Sequence, residues 1–205
     1  IQPEGEGIQQ MNFLYVDLYA FQSNLHFIGN PPFGRQSSLA KKFIKHICSC
    51  EKTQTIAFIL PKSFKKDSFQ KVFPPHFHLE YQDDVDKDAF LANGKPHDVP
   101  CVFQIWRKKD TKRVIPEKLK PKGFIFVKQE ENPDYSLRRV GVNAGILSKD
   151  ILDKSPQSHY FIKLKQNSDL FIIKYHQIYW EHNNTVGPKS ISKQEFIREI
   201  NKINI

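Results

Sequence analysis

The sequence has no long hydrophobic run and only three cysteines. No stretch approaches the roughly 18 consecutive apolar residues of a membrane-spanning helix, and the first residues lack the basic-then-apolar pattern of a secretory signal. We therefore expect a soluble, cytoplasmic protein that does not contact a membrane. Cysteine pairs that bind zinc usually have at least two residues between them, whereas one residue separates Cys48 from Cys50, and Cys101 is left over. We expect reduced structural thiols and no metal site.

Acidic residues are also few. The 205 residues include 31 lysines and arginines against 22 aspartates and glutamates, which gives a formal charge of +9. Each basic side chain set against a phosphate releases condensed counterions, so the excess favours a polyanionic partner. Many proteins have lysine-rich surfaces for solvation alone, and the charge by itself does not identify the partner. Hydrophobic residues, at 39%, suffice for one substantial core or for a core with a small second module.

The first half of the chain has the pattern of an α/β domain. A strand-like apolar run over 11–19 precedes a second run, Leu25–Ile28, which is stopped by two prolines. Ser38 is positioned to cap a helix, and a third apolar run, Thr55–Leu60, follows that helix. Strand, helix and strand in this order predict a parallel sheet with helices on its faces. The apolar face of the helix is expected to comprise Leu39, Phe43, Ile44 and Ile47.

The later elements predict an antiparallel sheet edge and then a change of domain. A short helix is expected over 63–72, and strands are expected over 77–81 and 99–106. Lysine, arginine and proline then dominate, and apolar periodicity disappears. The predicted organisation is a first region over 1–106, a basic linker over 107–123 and a second region over 124–205.

The second region combines strand patterns with one helix. Apolar runs predict strands over 124–127, 159–164 and 170–173. Ser192 is positioned to start a helix, with Gln194 and Glu195 near the capping-box position. We therefore expect a smaller α+β region here. The apolar face of its helix is expected to comprise Phe196, Ile197 and Ile200.

The residues Asn30–Phe33, which read Asn-Pro-Pro-Phe, can hold an amino group. The exocyclic amine of a nucleobase is a poor nucleophile because its lone pair is delocalised into the ring, so an enzyme must hold its hydrogens. The Asn30 side-chain oxygen and the Pro31 carbonyl can each accept one N–H, while Pro31 and Pro32 fix the turn. The Phe33 ring can restore roughly 1–3 kcal/mol of stacking to a base rotated out of a duplex.

This pattern resembles the catalytic part of S-adenosylmethionine-dependent amino-methyltransferases with an Asn-Pro-Pro-Tyr/Phe motif. In that family the motif ends an apolar strand and precedes a helix and another strand, as Asn30–Phe33 does here between Gly29 and Gly34. The segment 98–103 is similar to a late sheet strand of the adenine methyltransferases, and the resemblance covers roughly the first half of the chain.

The resemblance implies a fold, a cofactor and a reaction. The expected fold is a Rossmann-like methyltransferase sheet, incomplete at its N-terminus, over 1–106, with 124–205 as a target-recognition region by analogy. The implied cofactor is S-adenosylmethionine, and the implied methyl acceptor is N6 of adenine in DNA. RNA is an alternative substrate. The implied catalytic residues are Asn30, Pro31, Pro32 and Phe33.

The cofactor side of the site is only partly present in the sequence. Ile1–Pro3 resembles the tail of the family's second motif, and Asp17, with Leu18, matches the position whose acid accepts from the cofactor's adenine amine. A solvated loop aspartate is the alternative. The glycine-rich first motif has no counterpart, since Gly5–Gly7 lies too near the start to follow a strand. The chain resembles a segment of a longer protein, and we expect its missing N-terminal part or a partner to complete the cofactor site.

Basic, amide and aromatic residues in both regions are candidates for contact with nucleic acid. For each of them the alternative is a structural role in a turn, a linker or the surface. The residues His76–His78 offer metal-capable side chains on one strand face, but without a third ligand we expect a structural role. The nucleic-acid candidates are Arg35, Lys62, Arg138, Arg139, Asn143, His159 and Tyr160.

Three functional hypotheses follow from these patterns. The first is an N6-adenine methyltransferase acting on nucleic acid. The second is a non-catalytic nucleic-acid-binding module that keeps the turn and has lost the cofactor site. The third keeps the chemistry on another substrate, because related Asn-Pro-Pro motifs also serve methylation of RNA guanine and of glutamine in translation factors. The positive charge disfavours the glutamine substrate.

Overall fold

The computed structural model describes four stretches of this mixed α/β chain, namely residues 5–92, 94–165, 168–180 and 189–203. The chain divides into two compact units, Ile1–Ile115 and Pro116–Ile205. Each unit has its own sheet and its own hydrophobic core. The division falls inside the basic stretch 107–123.

The described residues of the first unit form six strands. In chain order they are β1 (Leu25–Gly29), β2 (Thr53–Pro61), β3 (Phe77–Asp84), β4 (Leu91–Ala92), β5 (Lys95–Pro96) and β6 (Cys101–Lys108). Four of them form the central sheet in the spatial order β1-β2-β6-β3, while β4 and β5 form a separate antiparallel pair. β1 is parallel to β2, and β6 is antiparallel to both of its neighbours. The predicted parallel pair and the antiparallel late strands are therefore confirmed.

Helix α1 (Ser38–Cys48) connects the two parallel strands. Its apolar residues recur every three to four positions, so one face is buried in the core. The predicted cap at Ser38 is wrong, because Ser38 is the first helical residue and Ser37 before it makes no side-chain capping bond. Leu39, predicted for the apolar face, is 37% exposed. The fully buried residues of this face are Ala40, Ile44 and Ile47.

The strand predicted over 11–19 is wrong. Asn12 and Asp17 each accept a hydrogen bond from the backbone N–H two residues further on, at 3.1 and 2.9 Å. Such local bonds offer the backbone an alternative to a strand ladder. This segment instead forms two 3-10 turns, Phe13–Tyr15 and Leu18–Ala20. The helix predicted over 63–72 is reduced to a 3-10 turn, Lys62–Lys65, and the single-turn helix α2 (Asp67–Gln70).

Aromatic side chains surround a buried glutamine in the core of the first unit. The rings of Phe73 and Trp106 stack with centroids 4.0 Å apart. The fully buried Gln104 donates from Nε2 to the carbonyl of Phe64 at 3.1 Å and to the side chain of Gln82 at 2.7 Å. Its Oε1 accepts from the Trp106 indole N–H at 3.0 Å. Every polar group of this side chain is thereby satisfied, as burial requires.

The basic stretch begins as part of the first unit. The Arg113 guanidinium donates to the carbonyls of Gln70, Phe73 and Phe77 at 3.0, 2.9 and 2.9 Å, and it lies 5.3 Å from the centroid of the Trp106 ring. Burial lowers the pKa of Arg113. This cation therefore anchors the stretch that follows β6, and it is not a solvated linker charge.

In its described residues, the second unit consists of an antiparallel sheet and two helices. The elements are β7 (Phe124–Val127), β8 (Tyr135–Arg138), β9 (Leu147–Ser148), β10 (His159–Leu164), α3 (Ser168–Tyr175) and α4 (Lys193–Lys202). The spatial strand order is β7-β10-β8-β9. The predicted strands over 124–127 and 159–164 are confirmed, whereas β8 and β9 were not predicted.

The two helices of this unit test two predictions with opposite results. The capping box at the start of α4 is confirmed, because Ser192 accepts from the Glu195 N–H and the Glu195 side chain accepts from the Ser192 N–H. The strand predicted over 170–173 is wrong, since these residues lie in α3. Phe171 and Tyr175, one helical turn apart, are both buried. A short apolar run alone does not distinguish the two structures.

The Gln104 network gives a stability prediction. We expect Gln104→Leu to lower the free energy of unfolding by about 1–3 kcal/mol, because the Trp106 indole N–H would remain buried without an acceptor. Urea unfolding followed by tryptophan fluorescence measures the change. Gln10→Leu, at an exposed position, is the control and should stay within about 0.5 kcal/mol of the wild type. Equal effects of the two substitutions would contradict the assignment.

Candidate functional site

The residues Asn30–Phe33 directly follow β1, at the carboxyl end of the two parallel strands. In open α/β sheets this is the edge where ligands bind. Pro31 is buried and Phe33 is half-buried, whereas Asn30 is exposed. Within the described residues the Asn30 side chain has no hydrogen-bond partner. Its amide oxygen is therefore available to a donor from outside the chain.

The last residue of this motif is also tied to helix α1. The Phe33 carbonyl accepts hydrogen bonds from the N–H groups of Leu39 and Ala40, at 3.1 and 3.3 Å. The first amides of a helix lack partners inside the helix, and here they use the motif's own backbone. The turn is therefore fixed at one end by β1 and at the other by α1.

Three residues between the motif and α1 have backbone torsions in the left-handed region. The φ angles are 66° at Gly34, 52° at Gln36 and 59° at Ser37. Glycine adopts such angles freely, but each residue with a side chain costs on the order of 1–3 kcal/mol, and such strain clusters at functional sites. A methyl group on Gly34 would meet Leu39 Cγ at 2.8 Å. The loop is strained, tightly packed and adjacent to the exposed acceptor.

The cofactor candidates Asp17 and Leu18 lie at a 3-10 turn. Asp17 Oδ1 accepts from the Tyr19 N–H at 2.9 Å, and within the described residues its second oxygen, Oδ2, accepts no hydrogen bond. Leu18 is 3% exposed, and its carbonyl accepts from the Cys50 thiol at 3.6 Å. Asp17 can still accept a hydrogen bond from an amine, whereas the Leu18 side chain is buried in the core and cannot contact a ligand.

The other cofactor-side residues contribute little to a site. Ile1–Pro3, which resembles part of a cofactor motif, lies outside the described residues. Gly5–Gly7 forms a turn, and no strand ends there. In the described part of the chain, therefore, no glycine-rich turn follows a strand in the manner of a cofactor-binding loop.

The two basic candidates of the first unit differ in their surroundings. Lys62 Nζ lies 2.9 Å from a carboxylate oxygen of Asp84, and Lys65 pairs with the same carboxylate at 2.9 Å. Burial raises the pKa of Asp84, but hydrogen bonds from these two lysines outweigh it and leave the pKa lowered. Lys62 is therefore held inside the unit by a carboxylate that it shares with Lys65. Arg35 is exposed, two residues after the motif.

Two of the candidates in the second unit have local structural partners. The Arg138 guanidinium donates to the Val140 carbonyl at 2.8 Å and to the Ser158 hydroxyl at 3.1 Å. Asn143 lies in an exposed turn, where its carbonyl accepts from the Ile146 N–H at 3.2 Å. Arg138 therefore braces the strand end, and its donors are not directed to a ligand.

The remaining three candidates line one cleft of about 410 Å³ in the second unit, and Phe126 and Lys193 are among the further lining residues, which the sequence did not single out. Arg139 lies 5.4 Å from the centroid of the Tyr160 ring. Lys193, the first residue of α4, lies 4.8 Å from the Phe126 ring centroid and 5.7 Å from that of Tyr160. His159 lines the same cleft. The structure thus brings two cations and two aromatic rings together.

Burial changes the titration of the cleft residues. It lowers the pKa of the His159 imidazole; a hydrogen bond to the Ser155 carbonyl opposes this, and the cations Arg138 and Lys154 reinforce it. Burial also raises the pKa of the Tyr160 hydroxyl, against hydrogen bonds from Arg139 and from the Lys193 backbone. Near neutral pH both side chains are therefore uncharged, and Arg139 and Lys193 supply the positive charge.

Other reactive groups offer no alternative site. Burial raises the pKa of Cys48 to about 12 and that of Cys101 to about 11, so both thiols stay protonated and are poor nucleophiles. His76 and His78 each donate one hydrogen bond, to the carbonyls of Lys109 and Thr111 respectively. Across the described residues, no group of three potential metal ligands occurs, and no helix is long and apolar enough to cross a membrane.

Comparisons of the chain with family models, with curated proteins and with solved structures return no match. The candidate sites therefore stand on the geometry of the chain and on the sequence pattern of Asn30–Phe33.

The packing of the strained loop gives a second prediction. Gly34→Ala should lower the free energy of unfolding by about 1–3 kcal/mol, because alanine is disfavoured at this φ and its methyl group would overlap Leu39. Thermal and urea unfolding measure the change. Gly29→Ala is the matched control, since a methyl group at Gly29 meets nothing within 4 Å. A loss in the control as large as in Gly34→Ala would contradict this account.

The environment of His159 gives a third prediction. A nuclear magnetic resonance titration of the imidazole should place its pKa below the usual histidine range. The unfolded chain then binds the proton more readily, so His159 should contribute to a loss of stability as the pH falls below about 6.5. Lys154→Gln removes one of the cations and should move the pKa back towards its ordinary value. An unchanged pKa in this variant would rule out the electrostatic contribution.

Proposed function

We propose that this chain is the substrate-holding part of an S-adenosylmethionine-dependent methyltransferase that acts on the N6 amino group of adenine in DNA. The observation that carries the proposal is the Asn30–Phe33 segment at the carboxyl end of a parallel strand, which is held between β1 and α1. It combines an exposed amide acceptor, a fixed proline backbone and a half-buried ring. The surplus of positive charge supports a nucleic-acid substrate.

The described residues would act on the amino group. The adenine amine has two N–H donors, and the Asn30 side-chain oxygen and the Pro31 carbonyl would each accept one of them. Holding both hydrogens favours a tetrahedral nitrogen, whose lone pair is then free to react. Phe33 would stack on the base. Neither acceptor is a base at neutral pH, so the proton released on methylation passes to solvent. When bound, S-adenosylmethionine supplies an electrophilic methyl group.

The described residues do not fit the whole cofactor. Asp17 Oδ2 can accept from an adenine amine, but the described part of the chain offers no glycine-rich loop for the methionine portion. We therefore infer that the cofactor half is completed by a polypeptide segment outside the described residues, either a preceding part of the same protein or a partner.

The sheet of the first unit has an edge at which such a segment could pair. We propose that this sheet is the carboxyl-terminal part of a Rossmann-like sheet, in which α1 joins two parallel strands and β6 lies antiparallel between β2 and β3. Among the described residues, β1 pairs on one side only. Free strand edges accept further strands. Apolar side chains of β1 and of the segment before it are exposed, with Ile28 at 82%, Tyr15 at 86% and Met11 at 56%.

A non-catalytic nucleic-acid-binding module is the second candidate. The incomplete cofactor side of the described chain favours it, whereas the strained loop beside Asn30 favours the enzyme. Calorimetry with S-adenosylmethionine separates the two. Binding by a version extended at the N-terminus, or by a complex with a partner, supports the enzyme. Absence of binding by every such form supports the module.

The fourth prediction tests the catalytic turn. Methyl transfer by the complete enzyme should fall at least 100-fold in Asn30→Ala, because one acceptor for the amino group is lost. Affinity for DNA should stay within about threefold, since Asn30 contacts the base and not the backbone. The assay uses labelled cofactor and mass spectrometry of nucleosides from DNA and RNA, which also identifies the methylated base. Asn24→Ala, at an exposed position before β1, is the control. Unchanged methylation by Asn30→Ala would refute the assignment.

A further inference from the structure

The second unit contains a cleft whose walls combine aromatic rings with cations. We call it the β10 cleft; it is lined chiefly by Phe126, Arg139, His159, Tyr160 and Lys193. Its volume of about 410 Å³ lies within the range of small-ligand sites. Strands β7 and β10 pair in antiparallel register and bring residues from both strands to the same side. The cleft is separate from the Asn30–Phe33 turn, which belongs to the first unit.

The aromatic rings form an apolar wall. The centroids of Phe126 and Tyr160 lie 5.5 Å apart, with the ring planes at 69°, so the edge of one ring meets the face of the other. Both side chains are half-buried. Phe126 also packs edge to face against the buried Phe124, and Phe196 lies behind it. The wall is therefore held by the core of the unit and presents a rigid apolar surface to a ligand.

The cations at this wall are positioned by the rings and are not neutralised by acids. Arg139 and Lys193 lie 5.4 and 5.7 Å from the Tyr160 centroid. Arg139 also donates to the Gln157 carbonyl at 2.6 Å, which fixes its orientation without changing its charge. Within the described residues neither cation has a carboxylate within salt-bridge distance. Cation–π contacts of this kind hold a charge in place and leave N–H donors for an anion.

The acids at and near the cleft already have partners. Glu130 lines the cleft and lies 3.9 Å from Nζ of Lys128, another lining residue, in an exposed ion pair. Glu195 is used by the capping box at the start of α4, where it accepts from the Ser192 N–H at 2.7 Å. The first amide of that helix, the Lys193 N–H, bonds the Tyr160 hydroxyl. The positive character of the cleft therefore comes chiefly from the Arg139 and Lys193 side chains. An anion entering the cleft therefore meets two cations that lack an acidic partner.

We propose that the β10 cleft binds one nucleotide of a single-stranded nucleic acid. Its phosphate would lie between Arg139 and Lys193, and its base would lie against Phe126 and Tyr160. Two aromatic rings next to two cations match a nucleotide better than an acidic peptide, which has no obligatory ring. A base in a duplex is covered by its neighbours, so only an unstacked base can reach this wall. The proposal deepens the nucleic-acid side of the proposed function and does not depend on methyl transfer.

Fluorescence anisotropy of the full chain with a labelled oligothymidine strand, measured without a methyl donor at several salt concentrations, tests this site. Arg139→Gln and Lys193→Gln should each weaken binding about 5- to 10-fold and lower the salt slope by about one unit, as expected for one lost phosphate contact. Lys149→Gln, at an exposed position away from the β10 cleft, is the matched control. A loss in the control equal to that in the two cleft variants would overturn the proposal in favour of diffuse charge.

A second measurement tests the aromatic wall without relying on a core substitution. A strand containing 5-iodouracil, irradiated in complex with the full chain, should form crosslinks in peptides that contain Phe126 or Tyr160. Crosslinks confined to other peptides would overturn the proposal. So would equal affinity for the duplex form, or displacement of the strand by adenosine monophosphate at micromolar concentration, which would indicate a free-nucleotide site. These readouts are unaffected if the methyltransferase assignment fails, since no methylation is measured.

Discussion

The carbonyl oxygen of Phe33 joins the candidate turn to helix α1, and through this helix to the core of the first unit. It accepts the second and third amides of α1, and α1 in turn buries Ile44 and Ile47 in the core beside β2. The geometry of Asn30 is therefore set by core packing and not by surface contacts. The left-handed residues that follow the turn are tolerated for the same reason, because the anchored helix over-determines their backbone.

The sequence predicted correctly those parts of the fold that depend on residues close together in the chain. The capping box of Ser192 and Glu195 acts within one helical turn, and the face of α1 depends on a repeat of three to four residues. The run 170–173 was ambiguous because four apolar residues fit either periodicity, and only the burial of Phe171 and Tyr175 in one core selects the helix. Over 11–19 the apolar composition predicted a strand, but the side chains of Asn12 and Asp17 cap two 3-10 turns instead.

The same distinction applies to the candidate sites. Asn30–Phe33 is contiguous, so it could be recognised as a candidate from the sequence alone. The β10 cleft could not, because Phe126 and Lys193 reach Tyr160 only through strand pairing and helix packing. From the sequence alone, Arg138 and Arg139 were equally good candidates for contact with nucleic acid. Adjacent residues point to opposite sides of a strand, and here Arg138 bonds to local backbone while Arg139 faces the cleft.

In the proposed function, the two units would offer complementary chemistry to a nucleic acid. The Asn30–Phe33 turn of the first unit presents neutral acceptors, which suit the N–H donors of a base but give little affinity for phosphates. In the same unit, Lys62 shares the Asp84 carboxylate with Lys65. The second unit presents Arg139 and Lys193, which have no acidic partner among the described residues and which suit a phosphate but cannot select an amine. On this proposal, affinity and methyl transfer would reside in different units, so a change that abolishes one need not alter the other.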